Sequence, residues 1–329
     1  MAPHGESGRR AVLAQTAAAA HEVTVRVALP GTCGELVQGT LDGVPCLVSC
    51  PIDLYSIAEV TLQASPGWEV PADAPKTAAA LRAGLEYLER SGHVVTGGVL
   101  KLISALPRGR GYASSTADVG AALYALGEAS ARPLTGPEAA RLAVGVEPSD
   151  STLFEGLALF DHRGGSFYRL LGPPPALPVI LIDPGGEVNT LGFNRADHRR
   201  ALRRLAAQHR EAFEVLAAGL RREDWAAVGH AATLSAQCHQ AILPSPLLER
   251  VCALARQVGA LGVCRAHSGT IFGLLLPSGR ADVEAAAHFV RRSLPDEIIV
   301  SVHRLVGGGP RVPSFRRRLM ASGSCDIIT

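Results

Sequence analysis

The stretch Pro107-Arg-Gly-Arg-Gly-Tyr-Ala-Ser-Ser-Thr-Ala-Asp118 carries most of what this chain discloses. Gly109 and Gly111 open backbone conformations closed to other residues and let amide groups approach a ligand closely. Ser114, Ser115 and Thr116 follow at the start of an Ala-rich helix predicted to run to about Ala129. The free N–H groups and positive dipole end of such a start attract an anion, and hydroxyls there can donate to phosphate or ligate Mg²⁺. The segment reads as a phosphate-binding loop, although it is not the G-x-x-x-x-G-K-[ST] loop of Walker-type NTPases. A glycine turn followed by a serine N-cap is the plainer alternative.

The elements around this loop alternate irregularly. Upstream, Val23 to Leu29 alternates apolar and polar residues as a strand does, and Pro30-Gly31 is expected to stop it. A second extended stretch covers Leu54 to Leu62, a helix begins at Thr77 and closes at Gly92, and a strand from Val99 to Leu106 leads into the loop. Downstream, Thr135-Gly-Pro-Glu138 is a capping box that starts another helix. Gly172-Pro-Pro-Pro175 marks a shift in composition and the expected domain boundary. Beyond it come a strand from Val179 to Ile182 and helical stretches at Arg195–Leu220, Asp224–Gln240 and Pro246–Gly259. Strands near 262–266 and 270–276, a helix from Ala281 to Arg292 and a strand from Glu297 to Val302 complete the chain. Without strict β-α-β alternation this is an α+β pattern rather than a doubly wound sheet. The expected organisation is a flexible N-terminal tail (1–22), an N-terminal domain (23–174), a C-terminal domain (175–306) and a loose C-terminal tail (307–329).

Composition narrows the function. The 329 residues are 47% apolar, enough to bury a substantial core, which rules out a disordered chain. The 32 basic and 30 acidic residues are interspersed, so neither a general nucleic-acid binder nor a membrane-surface binder is indicated. Lys76 and Lys101 are the only lysines, and neither sits in a Walker or V-A-I-K motif; a Schiff-base enzyme would have to use one of these two. Seven scattered cysteines with no C-x-x-C pair read as reduced thiols of a cytoplasmic protein, not as a disulfide framework or zinc site. No apolar run reaches the ~18 residues of a membrane span. Arg9-Arg10 before AVLAQTAAAA imitates a signal peptide only faintly, because Gln15 and Thr16 interrupt a short run.

The 107–118 segment resembles the P-x-x-x-G-L-[GA]-S-S-[AT]-A motif of the GHMP kinases, with Tyr112 where leucine is usual. Two more segments resemble the family's motifs in the right order. Leu29-Pro-Gly-Thr-Cys-Gly-Glu35 with Val48-Ser-Cys-Pro-Ile-Asp53 is similar to the first, and the run from Gly259 to Thr270 is similar to the third, with Ser268-Gly269-Thr270 replacing S-G-x-G-P. The resemblance covers residues 23–305 and implies a two-domain α+β fold, a ribosomal-protein-S5-like N-terminal domain and a ferredoxin-like C-terminal domain. It implies ATP and Mg²⁺ as cofactors, with phosphates held by Pro107, Arg108, Gly109, Arg110, Gly111, Tyr112, Ala113, Ser114, Ser115 and Thr116. The third motif is expected partly to support the site rather than touch ATP.

Phosphoryl transfer needs charge stabilisation, a metal and an oriented hydroxyl, not a lysine. Val146-Glu-Pro-Ser-Asp-Ser-Thr-Leu-Phe154 resembles the family segment that carries an aspartate, which points to Asp150 as the group that orients or deprotonates the hydroxyl, alongside Ser115. A helix N-cap is the plainer role for Asp150. Glu147 could reach Mg²⁺ together with Ser115, or be a solvated surface charge; Glu138 stands nearer the family's usual register, and the choice between the two glutamates is open. In the first motif Thr32 replaces the family's frequent Lys or Arg, which weakens sugar and mevalonate readings. Pro30–Gly39, Val48–Asp53, Gly111–Asp118 and Glu147–Ser151 together resemble the L-threonine kinase branch of cobalamin synthesis. Homoserine or another hydroxylated metabolite is the alternative substrate, and a non-catalytic regulator the alternative class. The substrate-binding candidates are Thr32, Glu35, Asp150 and Arg195; Arg195 is either a carboxylate clamp or a first-turn helix residue.

Overall fold

The computed structural model describes residues 23–188 and 198–312. Two long strands, β1 (Val23–Leu41) and β2 (Val44–Gln63), form an antiparallel hairpin around the two-residue turn Asp42-Gly43. Both turn residues have positive φ, 50° and 82°, the geometry that lets a two-residue loop follow the natural strand twist. The first half continues through β3 (Gly67–Glu69), α1 (Pro75–Arg90), β4 (Gly97–Ser104), α2 (Ser114–Ala129), α3 (Gly136–Val146), β5 (Leu157–Phe160) and β6 (Tyr168–Gly172). The second half comprises β7 (Pro178–Asp183), α4 (Arg199–Arg204), α5 (Ala206–Arg222), α6 (Trp225–His239), α7 (Leu248–Gln257), β8 (Gly262–Arg265), β9 (Phe272–Leu275), α8 (Val283–Arg292) and β10 (Ile299–Arg304).

One sheet runs through both halves in the order β10-β7-β9-β8-β1-β2-β4-β3, with β5 branching from β2 and β6 pairing β5. Three apolar clusters stabilise it. In the first, Val27, Leu29 and Val60 of the hairpin pack against Leu123 and Leu126 of α2. That helix is buried on almost every side, as its Ala- and Gly-rich sequence allows. In another, Ile180 and Ile182 of β7 meet Val251 and Leu254 of α7 and Val290 of α8. The third joins the halves: Leu36 and Val48 of the hairpin share a cluster with Leu181, Phe213, Leu216 and Val228.

Three expectations need correction, the simplest being that the second strand starts at Val44 rather than Leu54. The first strand does not end at Pro30-Gly31 but runs on to Leu41, with register shifts between Pro30 and Val37. Pro30 has no N–H to lose from the ladder, and the N–H of Thr32 turns to the Tyr112 carbonyl at 2.9 Å, so the chain bends across the break. The expected loose tail is not loose from residue 307. Gly308 donates to the Gly156 carbonyl at 2.7 Å, Arg311 donates to Ala28 at 2.8 Å, and the Arg311 guanidinium binds the Gly307 and Gly309 carbonyls. Residues 1–22, 189–197 and 313–329, Arg195 among them, lie outside the described residues. No helix among the described residues is long and apolar enough to cross a membrane.

Candidate active site

The loop that ends at α2 is a run of left-handed residues: Gly109, Gly111 and Ala113 have φ of 73°, 101° and 54°. Alternating conformations of this kind turn successive N–H groups to one side, making an anion-binding concavity at the positive end of α2. Ala113 caps the helix in this conformation with no side-chain hydrogen bond, so the first N–H groups are not claimed by a cap.

The loop is held from behind. Thr32 donates its backbone N–H to Tyr112 and its hydroxyl to the Gly111 carbonyl at 3.1 Å, while Thr270 and Ile271 both donate to the Arg110 carbonyl. Thr32 is fully buried and does not line the cleft; its place is behind the phosphate loop rather than on a substrate. A Cβ on Gly269 would stand 2.3 Å from the Arg110 carbonyl oxygen, and one on Gly111 would stand 2.2 Å from the Ala266 Cβ. Glycine at both positions lets the third motif pack directly beneath the first turn of the loop. Arg110 and Tyr112 both reach Asp183, at 3.1 and 3.0 Å, and so brace the loop. Burial and the Asp183 carboxylate raise the Tyr112 phenol. Arg108 reaches out to Asp73.

Opposite the start of α2, the segment after α3 delivers two carboxylates. Glu147 accepts from the Ser115 hydroxyl and pairs with Lys76 at 2.5 Å. Asp150 accepts from the Thr116 hydroxyl at 2.9 Å, and its own N–H donates back to that oxygen at 3.1 Å. Reciprocal bonds between Ser49 and Ser151, 3.0 and 3.2 Å, fix the segment to β2. Asp150 holds the N-cap position of the 3₁₀ turn Ser151–Leu153, but its side chain makes no capping hydrogen bond there, and Glu147 is only 9% exposed, so the plainer roles do not account for these carboxylates. Glu138 is instead engaged at the start of α3, by the N–H and hydroxyl of Thr135 and by Arg132. Arg132 is the main reason its carboxyl lies far below the usual range. It does not line the cleft.

Glu35 completes the acidic group. It is 3% exposed, lines the cleft, and its Oε2 has no hydrogen-bond partner. Burial, then the nearby Asp150, pushes its carboxyl well above the usual range, and burial also raises Asp150. Two such carboxyls share a proton. The Thr116 hydroxyl bonded to Asp150 favours its charged form and offsets part of that rise.

These groups converge on a cleft of about 260 Å³. Its walls include Arg108, Gly109, Gly111 to Thr116, Glu35, Glu147 and Asp150, but not Pro107 or Arg110. They also include residues not among the site candidates read from the sequence: Lys76, Asp118, Leu47, His162, His267 and Ser268. A lysine, which phosphoryl transfer does not require, thus stands at the cleft. Lys76 is placed by Pro75, which starts α1 against the cleft, and no motif spacing marks it. Asp118, one turn into α2, is held by Ser56 at 2.5 Å. The Ser115 hydroxyl and Glu147 carboxylate are hard oxygen donors beside an anion site, which fits Mg²⁺ bound together with phosphates.

Comparison with known proteins agrees with this geometry. Residues 77–156 match the model of the GHMP kinases N terminal domain and residues 216–296 that of the GHMP kinases C terminal domain. The L-threonine kinase of Citrobacter freundii is 33% identical over 255 residues, covering 78% of this chain and 87% of that one. The chain belongs to the GHMP kinases. A second L-threonine kinase, from Salmonella typhimurium, is 32% identical over 254 residues, 77% of this chain and 83% of its own. Among solved structures, a homoserine kinase from Cytophaga hutchinsonii superposes with a TM-score of 0.68 at 19% identity, covering 88% of this chain and 98% of that one. The protein is therefore a kinase with the two-domain GHMP fold.

Proposed function

We propose that this GHMP kinase transfers the γ-phosphoryl group of ATP to the side-chain hydroxyl of free L-threonine, giving O-phospho-L-threonine and ADP. The observation that carries the reading is the Glu35–Asp150 pair beside Ser115 and Glu147. An acidic pair with an unsatisfied, buried Oε2 suits a substrate that brings an ammonium group. Mevalonate would present a carboxylate to these acids, and a sugar would offer no charge to match them. The relatives at 33% and 32% identity support threonine in particular.

In this reading the N-terminal domain, residues 23–174, wraps the phosphates with the run from Pro107 to Thr116. The C-terminal domain, residues 175–306, supports that run through Asp183, Gly269 and Thr270. Arg110 and Tyr112 act from behind by bracing it. Ser115 and Glu147, rather than Glu138, hold Mg²⁺, which supplies positive charge against the phosphate oxygens. Lys76 neutralises Glu147 and brings a further cation to the same end of the cleft. Asp150 orients the threonine hydroxyl and accepts its proton as the bond from the hydroxyl oxygen to phosphorus forms and the bond to ADP breaks. Glu35 faces the ammonium, and Arg195 is the candidate cation for the carboxylate. The product then feeds the aminopropanol linker of cobalamin, in the cytoplasm.

Homoserine is the second reading, favoured by the fold likeness to a homoserine kinase. Its hydroxyl lies one carbon further from the charged groups, and a site anchored on those charges holds it out of line. ADP release should be followed with threonine, serine, homoserine, N-acetylthreonine and threonine amide. Threonine is expected to lead, and N-acetylation, which deletes the ammonium, to lower kcat/KM by about tenfold or more. N-acetylthreonine used as well as threonine, or homoserine preferred about tenfold, would overturn the threonine reading and leave the kinase in place.

A further inference from the structure

The anchors described so far bind an ammonium, a hydroxyl and phosphates; none touches the methyl group that separates threonine from serine. One apolar side chain of the cleft lacks a structural explanation. Leu47 is 1% exposed, yet it belongs to none of the three apolar clusters, and it lines the cleft. Its direction follows from the strand. Side chains two residues apart on β2 share a face, so Leu47 points the same way as Ser49. Ser49 pairs in register with Glu35 and is bonded to Ser151, next to Asp150. Leu47 pairs in register with Gln38, whose Oε1 lies 2.6 Å from His267 Nδ1.

Leu47 is thus flanked on one side by the acidic pair and on the other by His267, with His162 set edge-on to His267 at 4.7 Å between ring centroids. Burial lowers the His162 pKa to about 3, and the His267 pKa is also lowered, so both rings are uncharged at neutral pH. The cleft wall here sets a leucine beside two neutral imidazoles that contact each other, with two carboxyls on its other side.

We propose that Leu47, with His162 and His267 beside it, is the specificity-determining contact for the methyl group of the substrate, selecting a secondary over a primary alcohol. This rests on the reading of the protein as a kinase for a hydroxylated amino acid. With the hydroxyl aimed at Asp150 and the ammonium at Glu35, the remaining substituent of the hydroxyl-bearing carbon meets Leu47. Serine leaves a methyl-sized gap there, and such a gap is worth roughly a 10- to 200-fold preference.

The test is kcat/KM for L-threonine and L-serine in the wild type, Leu47→Ala, Leu47→Val and Leu47→Met, with the KM for ATP and the melting temperature followed in each. Leu47→Met conserves volume and should keep most of the threonine preference. Leu47→Ala should bring the two substrates to within about threefold, through loss on threonine alone, with the KM for ATP unchanged. Leu47→Val, a smaller deletion, should fall between and decides the matter if the alanine variant does not fold. A folded alanine or valine variant that keeps the wild-type ratio would overturn the methyl contact and leave the threonine reading intact. A wild type that phosphorylates neither amino acid would remove that reading instead.

Discussion

Glu35 is buried with one carboxyl oxygen unbonded, an arrangement that costs stability and therefore has a measurable signature. Its folded-state pKa is raised, so the native state binds a proton more tightly than the unfolded chain does. Stability from this group is complete below the unfolded pKa of about 4.3 and is lost as pH rises through the folded value. Glu35→Gln should raise the melting temperature at pH 7 to 8, and the gain should vanish near pH 4, where glutamate itself is protonated. The same variant should raise the KM for threonine far more than that for ATP. A uniform stability change across pH would contradict the buried acid, and an unchanged threonine KM the ammonium role. At this scale the sequence was partly legible. Asp150 and Glu147 could be found because a local segment resembles a family motif. Lys76 and Leu47 could not, since each reaches the cleft through the placement of α1 or β2, and nothing in the neighbouring residues marks that placement.

The phosphate loop is built by three chain segments, and its support can be tested separately from its chemistry. Gly269 is not in the positive-φ region and is glycine for closeness, since an added methyl would stand 2.3 Å from the Arg110 carbonyl oxygen. Gly269→Ala should push the loop outward, cost roughly 1–3 kcal/mol of stability and raise the KM for ATP, with kcat affected less. An alanine variant with wild-type ATP kinetics would show that the third motif does not set the loop's position. For Gly111 the expected backbone freedom is used, at a φ of 101°, and the structure adds a second reason: its missing side chain makes room for Ala266. The starts of α2 and α3 were legible, on a serine cluster and a capping box, whereas the one helical stretch expected over Arg195–Leu220 is broken at Leu205 into α4 and α5. The continuation of β1 past Pro30-Gly31 was not. Proline and glycine normally punctuate a strand, and only the distant Tyr112 carbonyl shows where the next N–H goes.

Across the whole molecule, one sheet and one shared apolar cluster tie the two halves together. The two tryptophans fall one in each half, Trp68 in β3 and Trp225 at the start of α6. Single-tryptophan variants, Trp68→Phe and Trp225→Phe, should therefore report superimposable urea transitions, because exposing Phe213 and Leu216 also uncovers Leu36 and Val48. Separate midpoints would mean that the halves fold independently. The α+β class and the order of motifs were readable from local patterns. The pairing of β1 with β8 at Glu35 and Arg265 was not, since it joins residues far apart in the chain and brings the first and third motifs together. That pairing sets His267 and Ser268 at the edge of a cleft built mainly by the first half, and the most direct test is of what the cleft makes. Phosphorus NMR of wild-type protein with ATP, Mg²⁺ and L-threonine should show O-phospho-L-threonine forming in step with ADP, and Asp150→Asn should slow this about 10²- to 10⁴-fold while ATP binding persists. ADP formed without phosphothreonine, or product formed at the wild-type rate by folded Asp150→Asn, would contradict the account.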